Sequence, residues 1–149
     1  MKRSIMILLG ILGLVFGCGG PLVMIPGGEL SGTIQAVPSD WTFSDEFETV
    51  QLETRPSDPY SVNVWGVAVG ATFYVASGTG LETAWAQHIE EDPNIRLRVG
   101  EDIYELRAVR TNDPNDRVEF LAAVKVKYDD FEPDEEDASA ATLYRLEAR

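Results

Sequence analysis

Two pairs of strand-like stretches in this chain each flank a short glycine-bearing turn, the later pair alternating apolar and polar residues in both arms, and no other feature restricts the fold as strongly. Ser61-Val62-Asn63-Val64-Trp65-Gly66-Val67-Ala68-Val69 and Thr72-Phe73-Tyr74-Val75-Ala76 flank Gly70-Ala71, while Ile95-Arg96-Leu97-Arg98-Val99 and Ile103-Tyr104-Glu105-Leu106-Arg107-Ala108-Val109 flank Gly100-Glu101-Asp102. Successive side chains of a strand point to opposite faces, so period-two segments joined by a glycine-bearing turn describe antiparallel hairpins with a buried face. Residues 32–37 (ended by Pro38), 47–54 and 141–147 read as further strands. Leu81, Ala84, Trp85 and Ile89 fall at helical spacing over residues 81–91. Asp113-Pro114 opens a second helix through about Tyr128, with Val118, Leu121, Ala122, Lys125 and Tyr128 on one side. About six or seven strands with short turns and two helices describe a mainly β, antiparallel barrel with helical insertions.

The N-terminus carries a different signal. Lys2 and Arg3 precede an uncharged apolar run from Ile5 to Gly17, the basic and hydrophobic regions of an export signal. The run ends in Val15-Phe16-Gly17-Cys18, which resembles the lipobox of bacterial lipoproteins, where the cysteine receives a diacylglyceryl group and becomes the new N-terminus. The expected organisation is a signal peptide at 1–17, a lipidated Cys18 with a Gly/Pro-rich tether to 28, and one domain over 29–149. An uncleaved anchor extended by Leu22-Val23-Met24-Ile25 is the alternative, although Gly19-Gly20-Pro21 interrupts it. Two or three acyl chains at about 0.8 kcal/mol per buried CH₂ hold a domain on a membrane without help from its surface. Gly19 rather than Asp after the cysteine favours an outer membrane facing the periplasm in a Gram-negative host.

Composition closes several functional classes. With 12 basic against 25 acidic residues the net charge is −13, and without Lys2 and Arg3 it is −15, a surface that repels nucleic acid. Arg96, Arg98, Arg107 and Arg110 have acids interspersed and form no basic stripe. Cys18 is the sole cysteine, so once lipidated it leaves no disulfide and no thiolate for catalysis or metal. His88 is the sole histidine, which excludes a multi-histidine metal site within one chain and reads as a surface or boundary residue. The acidic run from Asp129 to Asp137 lacks calcium-loop spacing and reads as a solvated loop. The hydrophobic content of 44% and the spread of Trp41, Trp65 and Trp85 call for a packed core.

The order of elements and three local segments, Phe73-Tyr74-Val75-Ala76-Ser77-Gly78, Trp85 through Asp92-Pro93-Asn94-Ile95-Arg96-Leu97, and Ile103 to Val109, resemble the split β-barrel flavin and deazaflavin binders related to pyridoxamine-phosphate oxidase, including the deazaflavin-dependent nitroreductase-like branch. Leu143-Tyr144-Arg145-Leu146-Glu147 resembles that family's closing strand. The resemblance implies a split β-barrel of FMN-binding type, an FMN or deazaflavin cofactor, and a homodimer with the cofactor at its interface. It also implies that Ser77-Gly78-Thr79-Gly80, leading into a helix, holds cofactor phosphate, with Thr79 and Thr83 as side-chain donors and Arg55 as the cation. Glycine admits an anion to backbone N–H groups and a helix N-terminus adds positive potential. The same loop also reads as a tight strand-to-helix turn in which Thr79 or Thr83 caps the helix. Asn63 and Trp65, two apart in one strand, share a face, so Asn63 would meet a ring's polar edge and Trp65 would stack on it, or both belong to the core. Two functions follow as expectations: a lipid-anchored domain binding a flavin-type cofactor, and a non-catalytic envelope domain binding a partner or small ligand without one.

Overall fold

The computed structural model describes residues 25–129 and 131–149; Cys18 and the export signal lie outside the described residues. The strands are β1 (Thr33–Gln35), β2 (Val50–Thr54), β3 (Tyr60–Val64), β4 (Gly66–Val69), β5 (Thr72–Ser77), β6 (Asn94–Val99), β7 (Asp102–Thr111) and β8 (Thr142–Ala148), and the α-helices are α1 (Ala84–Glu91), α2 (Pro114–Lys127) and α3 (Glu135–Ala140). Both expected hairpins form, turning at Gly70 (φ +59°) and Gly100 (φ +62°), where the backbone enters the left-handed region that glycine tolerates.

One sheet runs in the order β3-β2-β6-β7-β8-β5-β4. All these pairs are antiparallel. Its two outer strands, β3 and β4, are consecutive in the chain, so the sheet curls until its edges meet through Trp65. The expected continuous strand over 61–69 is therefore two strands, the first paired to β2 and the second to β5. β8 covers β7 only from Leu106 onward, and the exposed β1 fills the vacated edge at Asp102–Tyr104 as a parallel pair, the one departure from the expected antiparallel pattern.

The curled sheet has cores on both faces. Inside it Leu52, Phe73, Val75, Ile95, Leu97 and Leu106 pack with Trp41 and with Trp85, Ala86 and Ile89 of α1. Each of these buried Leu, Ile, Val and Phe side chains contributes about 1.5–3 kcal/mol. Outside it Val67, Tyr74 and Leu143 pack against Val124 and Tyr128 at the C-terminal end of α2. β5 alternates between the two, Phe73 and Val75 inward and Tyr74 outward.

Two helices depart from expectation. α2 buries Val124, with Phe120 and Ala123 packed alongside, whereas Val118, Ala122 and Lys125 face solvent. Its apolar residues lie nearly all round, and the sheet selects the side that meets Val67 and Tyr74. α3 occupies part of the acidic segment read as a loop. Asp134 caps it by accepting from the Asp137 N–H at 2.7 Å, and Arg117 of α2 donates to the carbonyls of Ala138 and Ala141, the latter at 3.0 Å. No helix among the described residues is long and apolar enough to cross a membrane.

Candidate functional site

Trp65 sits at the break between β3 and β4, where regular pairing stops, and its indole turns outward with 43% of its surface exposed. The ring stacks on Tyr128 (centroids 4.3 Å, planes 11° apart), and Phe131 stands nearly perpendicular to it at 5.0 Å. The Tyr128 hydroxyl points inward and donates to the Glu48 carbonyl at 2.7 Å. Burial pushes this phenol up to about 12, with the charges of Glu48 and Asp45 adding to the effect. It is a fixed wall rather than an acid.

Behind this trio lies a cavity of about 180 Å³ between the outer sheet face and α2 and α3. Trp65, Val67, Ala76 and Gly78 line it from the sheet side, with Phe120, Val124 and Tyr128 from α2 and Ala138 from α3. The fold thus brings together two of the residues singled out in the sequence, Trp65 and Gly78. Asp137 is the one charged residue of the lining among the described residues.

The other singled-out residues serve elsewhere. Gly80 takes φ +62°, and a Cβ there would come within 3.3 Å of the Ala140 carbonyl. Thr79 and Thr83 occupy the N-cap positions of a 3-10 turn (Gly80–Glu82) and of α1, yet neither caps with its side chain. Instead the Thr83 hydroxyl is hydrogen-bonded to that of the buried Ser77 at 2.9 Å. Gly78 has nothing within 4 Å of where a Cβ would stand, so its backbone is approachable. Arg55, in the β2–β3 turn at φ +54°, pairs with Asp58 at 3.3 Å and lies over the Tyr60 ring. Its surroundings are Tyr60 and His88, at the C-terminal half of α1 rather than at the helix start. Asn63 is half-buried on β3 opposite Gln51, away from the cavity lining.

A phosphate-bearing cofactor finds a poor fit in these residues. The loop hydroxyls Ser77 and Thr83 are hydrogen-bonded to each other, Arg55 is engaged by Asp58, and the cavity beside Gly78 carries a carboxylate instead of a cation. A dianion there would rest on backbone donors and the Thr79 hydroxyl, without a free cation. What the cavity does fit is a neutral apolar group, since aromatic and aliphatic side chains make up nearly all of its wall.

Sequence reasoning had set Tyr128 on a helix face and passed over Phe120 and Phe131. The available signal was an aromatic pair, Tyr128 and Phe131, at the edge of the acidic run, where a solvated loop has no use for large rings.

No protein-family model and no curated protein matches this sequence. Solved structures do resemble the fold. A protein from Listeria innocua, provisionally assigned as a pyridoxamine 5′-phosphate oxidase, superposes with a TM-score of 0.55 at 13% identity, over 70% of this chain and 86% of its own. An FAD-binding protein from Mesorhizobium loti gives 0.53 at 16% identity, covering 72% and 86%, and an F420 reductase gives 0.53 at 16%, covering 76% and 96%. Identities this low speak to architecture alone, and what these structures share with the chain is its mainly antiparallel split β-barrel fold.

Proposed function

We propose that this chain is a lipoprotein, acylated at Cys18, whose split barrel takes up a small neutral ring compound in the cavity under α2 and α3 and performs no chemistry on it. The observation that carries the reading is the cavity wall: aromatic and aliphatic apart from Asp137, its single charge among the described residues. Pockets for drug-sized ligands run to about 300–1,000 Å³, so about 180 Å³ suits one or two rings. Gly19 after the cysteine favours an outer membrane facing the periplasm where the host has two membranes. A periplasmic address also separates the domain from cytoplasmic reductants.

A second reading, an FMN or deazaflavin cofactor held between two copies of the chain, is favoured by the approachable backbone at Gly78 and by the FAD-binding and F420-reducing proteins that share the fold. In it the partner copy supplies the cation that the loop lacks, and the cofactor supplies the redox chemistry.

Absorbance and native mass spectrometry of the full chain, purified in a maltoside detergent, separate the two. The first reading expects a colourless protein that retains one naphthalene-sized compound per chain and loses it when Ala76→Leu fills the cavity. A stoichiometric flavin absorbance, as isolated or after incubation with FMN or F420, overturns it in favour of the second.

A further inference from the structure

The aromatic trio has a second side. Opposite the apolar cavity, Trp65, Tyr128 and Phe131 face an open cleft of about 440 Å³ completed by Glu48, Lys127 and Asp129. We infer that this cleft is a binding site for a monovalent organic cation of the trimethylammonium class, formed by the perpendicular planes of Trp65 and Phe131 with Glu48 and Asp129 at its rim. The inference does not rest on the apolar cavity holding a ligand.

Three observations choose this chemistry. The first is the rings. Trp65 is backed by Tyr128 and nearly perpendicular to Phe131, and both Trp65 (43%) and Phe131 (39%) keep substantial exposed surface. Ring faces attract cations through their quadrupole by about 0.5–2 kcal/mol, and indole does so best. Methyl groups on nitrogen add apolar contact with the same faces, which a bare ammonium lacks.

The second is the charge. Neither Glu48 nor Asp129 makes an ion pair or a side-chain hydrogen bond among the described residues, and both belong to a chain of net charge −13. The one cation in the lining, Lys127, pairs with neither acid: it donates to the backbone carbonyls of Gly66 at 2.8 Å and Ser44 at 3.2 Å, holding the break after Trp65, and lies 5.5 Å from the centroid of the Tyr128 ring that backs Trp65.

The third discriminates among cations. No group of three or more acidic, histidine or cysteine side chains that could hold a metal ion occurs among the described residues. A hard divalent ion needs six or more oxygen ligands and gains little from ring faces. An anion meets two carboxylates, and a neutral apolar compound gains nothing from them.

The fold supplies its own reporter. Trp41 (1% exposed) and Trp85 (7%) are buried, so Trp65 is the tryptophan that an added ligand can reach among the described residues. Titrating the full chain in maltoside detergent with choline, while following tryptophan fluorescence, is expected to give a saturable change at millimolar concentrations or below. The change should weaken about fivefold or more in Glu48→Gln/Asp129→Asn, both surface changes, and weaken as salt is raised. The uncharged isostere 3,3-dimethylbutanol should bind far less. Phosphorylcholine, the headgroup form, should bind less than choline because its phosphate meets the two acids.

Saturable binding of choline over its neutral isostere, abolished in Trp65→Ala and partly kept in Trp65→Phe by calorimetry, supports the site. Absence of saturation at tens of millimolar choline, equal binding of the isostere, or tighter binding of phosphorylcholine overturns it. The cavity-filling Ala76→Leu chain should still bind choline, which keeps this outcome separate from that of the apolar cavity.

Discussion

Glu53 has 3% of its surface exposed in the middle of β2, and three groups converge on it or its neighbour. The Leu30 N–H donates to it at 2.6 Å, Arg96 donates at 3.1 Å, and a second Arg96 nitrogen donates to the Leu30 carbonyl at 3.2 Å. The side chain therefore clasps the segment that leads in from the N-terminus onto the sheet, helped by the mutual bonds of Gly27 with Ser61. Removing Glu53 leaves the Leu30 N–H without its acceptor and Arg96 with only the Glu29 carboxylate, at 3.8 Å, among the described residues, so Glu53→Ala should lose about 3 kcal/mol in urea unfolding. Glu53→Gln, which keeps the acceptor for Leu30, should lose less. His88 makes a pH-dependent contribution. Its ring contacts the buried Thr54 hydroxyl at 3.0 Å, and burial first, then the Arg55 charge, lowers its pKa below the usual value near 6.5. The unfolded chain then binds the proton more readily than the folded one, so stability falls as pH drops from about 6.5 through the lower folded value. Urea midpoints at pH 7.5 and pH 5.5 should differ in the native chain, and the difference should shrink in His88→Gln.

At the scale of elements, the junction of β3 and β4 decides the most. Trp65 leaves the ladder there, and Gly66 follows because nothing larger fits: a Cβ would stand 2.5 Å from the ring of Phe73, itself fully buried. The Gly66 carbonyl then receives Lys127 and holds the end of α2 against the sheet. Gly66→Ala should cost about 1–3 kcal/mol by overpacking. It should also raise the accessibility of Trp65 to a fluorescence quencher as the Trp65–Tyr128 stack loosens. Val62 and Val64 fall out of phase with Val67 and Val69, so the period slips at Trp65-Gly66, where β3 gives way to β4. Periodicity reports faces and not partners, so the change of neighbour from β2 to β5 was not legible. α3 left no periodic signal at all. Glu135-Glu136-Asp137 has no apolar stripe to signal a helix. Its order comes from the Asp134 cap and from Arg117, a residue of another helix.

For the whole molecule, the sheet curls so far that one strand sequence forms both of its edges, and two cores result, one inside and one under α2. The outer core is incomplete, and the cavity between Trp65 and Gly78 is the space it leaves. If the reading of the N-terminus holds, Cys18→Ser should move the full chain from the membrane pellet to the soluble fraction, or leave it with an unprocessed signal of higher mass. Mass spectrometry of the membrane form should show an acylated N-terminal cysteine in the native chain only. A native protein found unacylated would overturn the lipoprotein assignment and leave the barrel and its cavities unaffected.

The hairpins, the start of α2 and an antiparallel barrel follow from sequence pattern, and the split-barrel class from the resemblance of its segments to a known family. Side-chain period, turn glycines and the capping Asp113, which accepts from the Asn115 N–H, act within a few residues of the chain. Tertiary structure decided that β3 pairs with β2 and β4 with β5, which side of α2 is buried, and that Trp65 meets Tyr128 and Phe131 over two cavities. Those outcomes depend on contacts between residues that are distant in sequence, whose energies no local pattern contains.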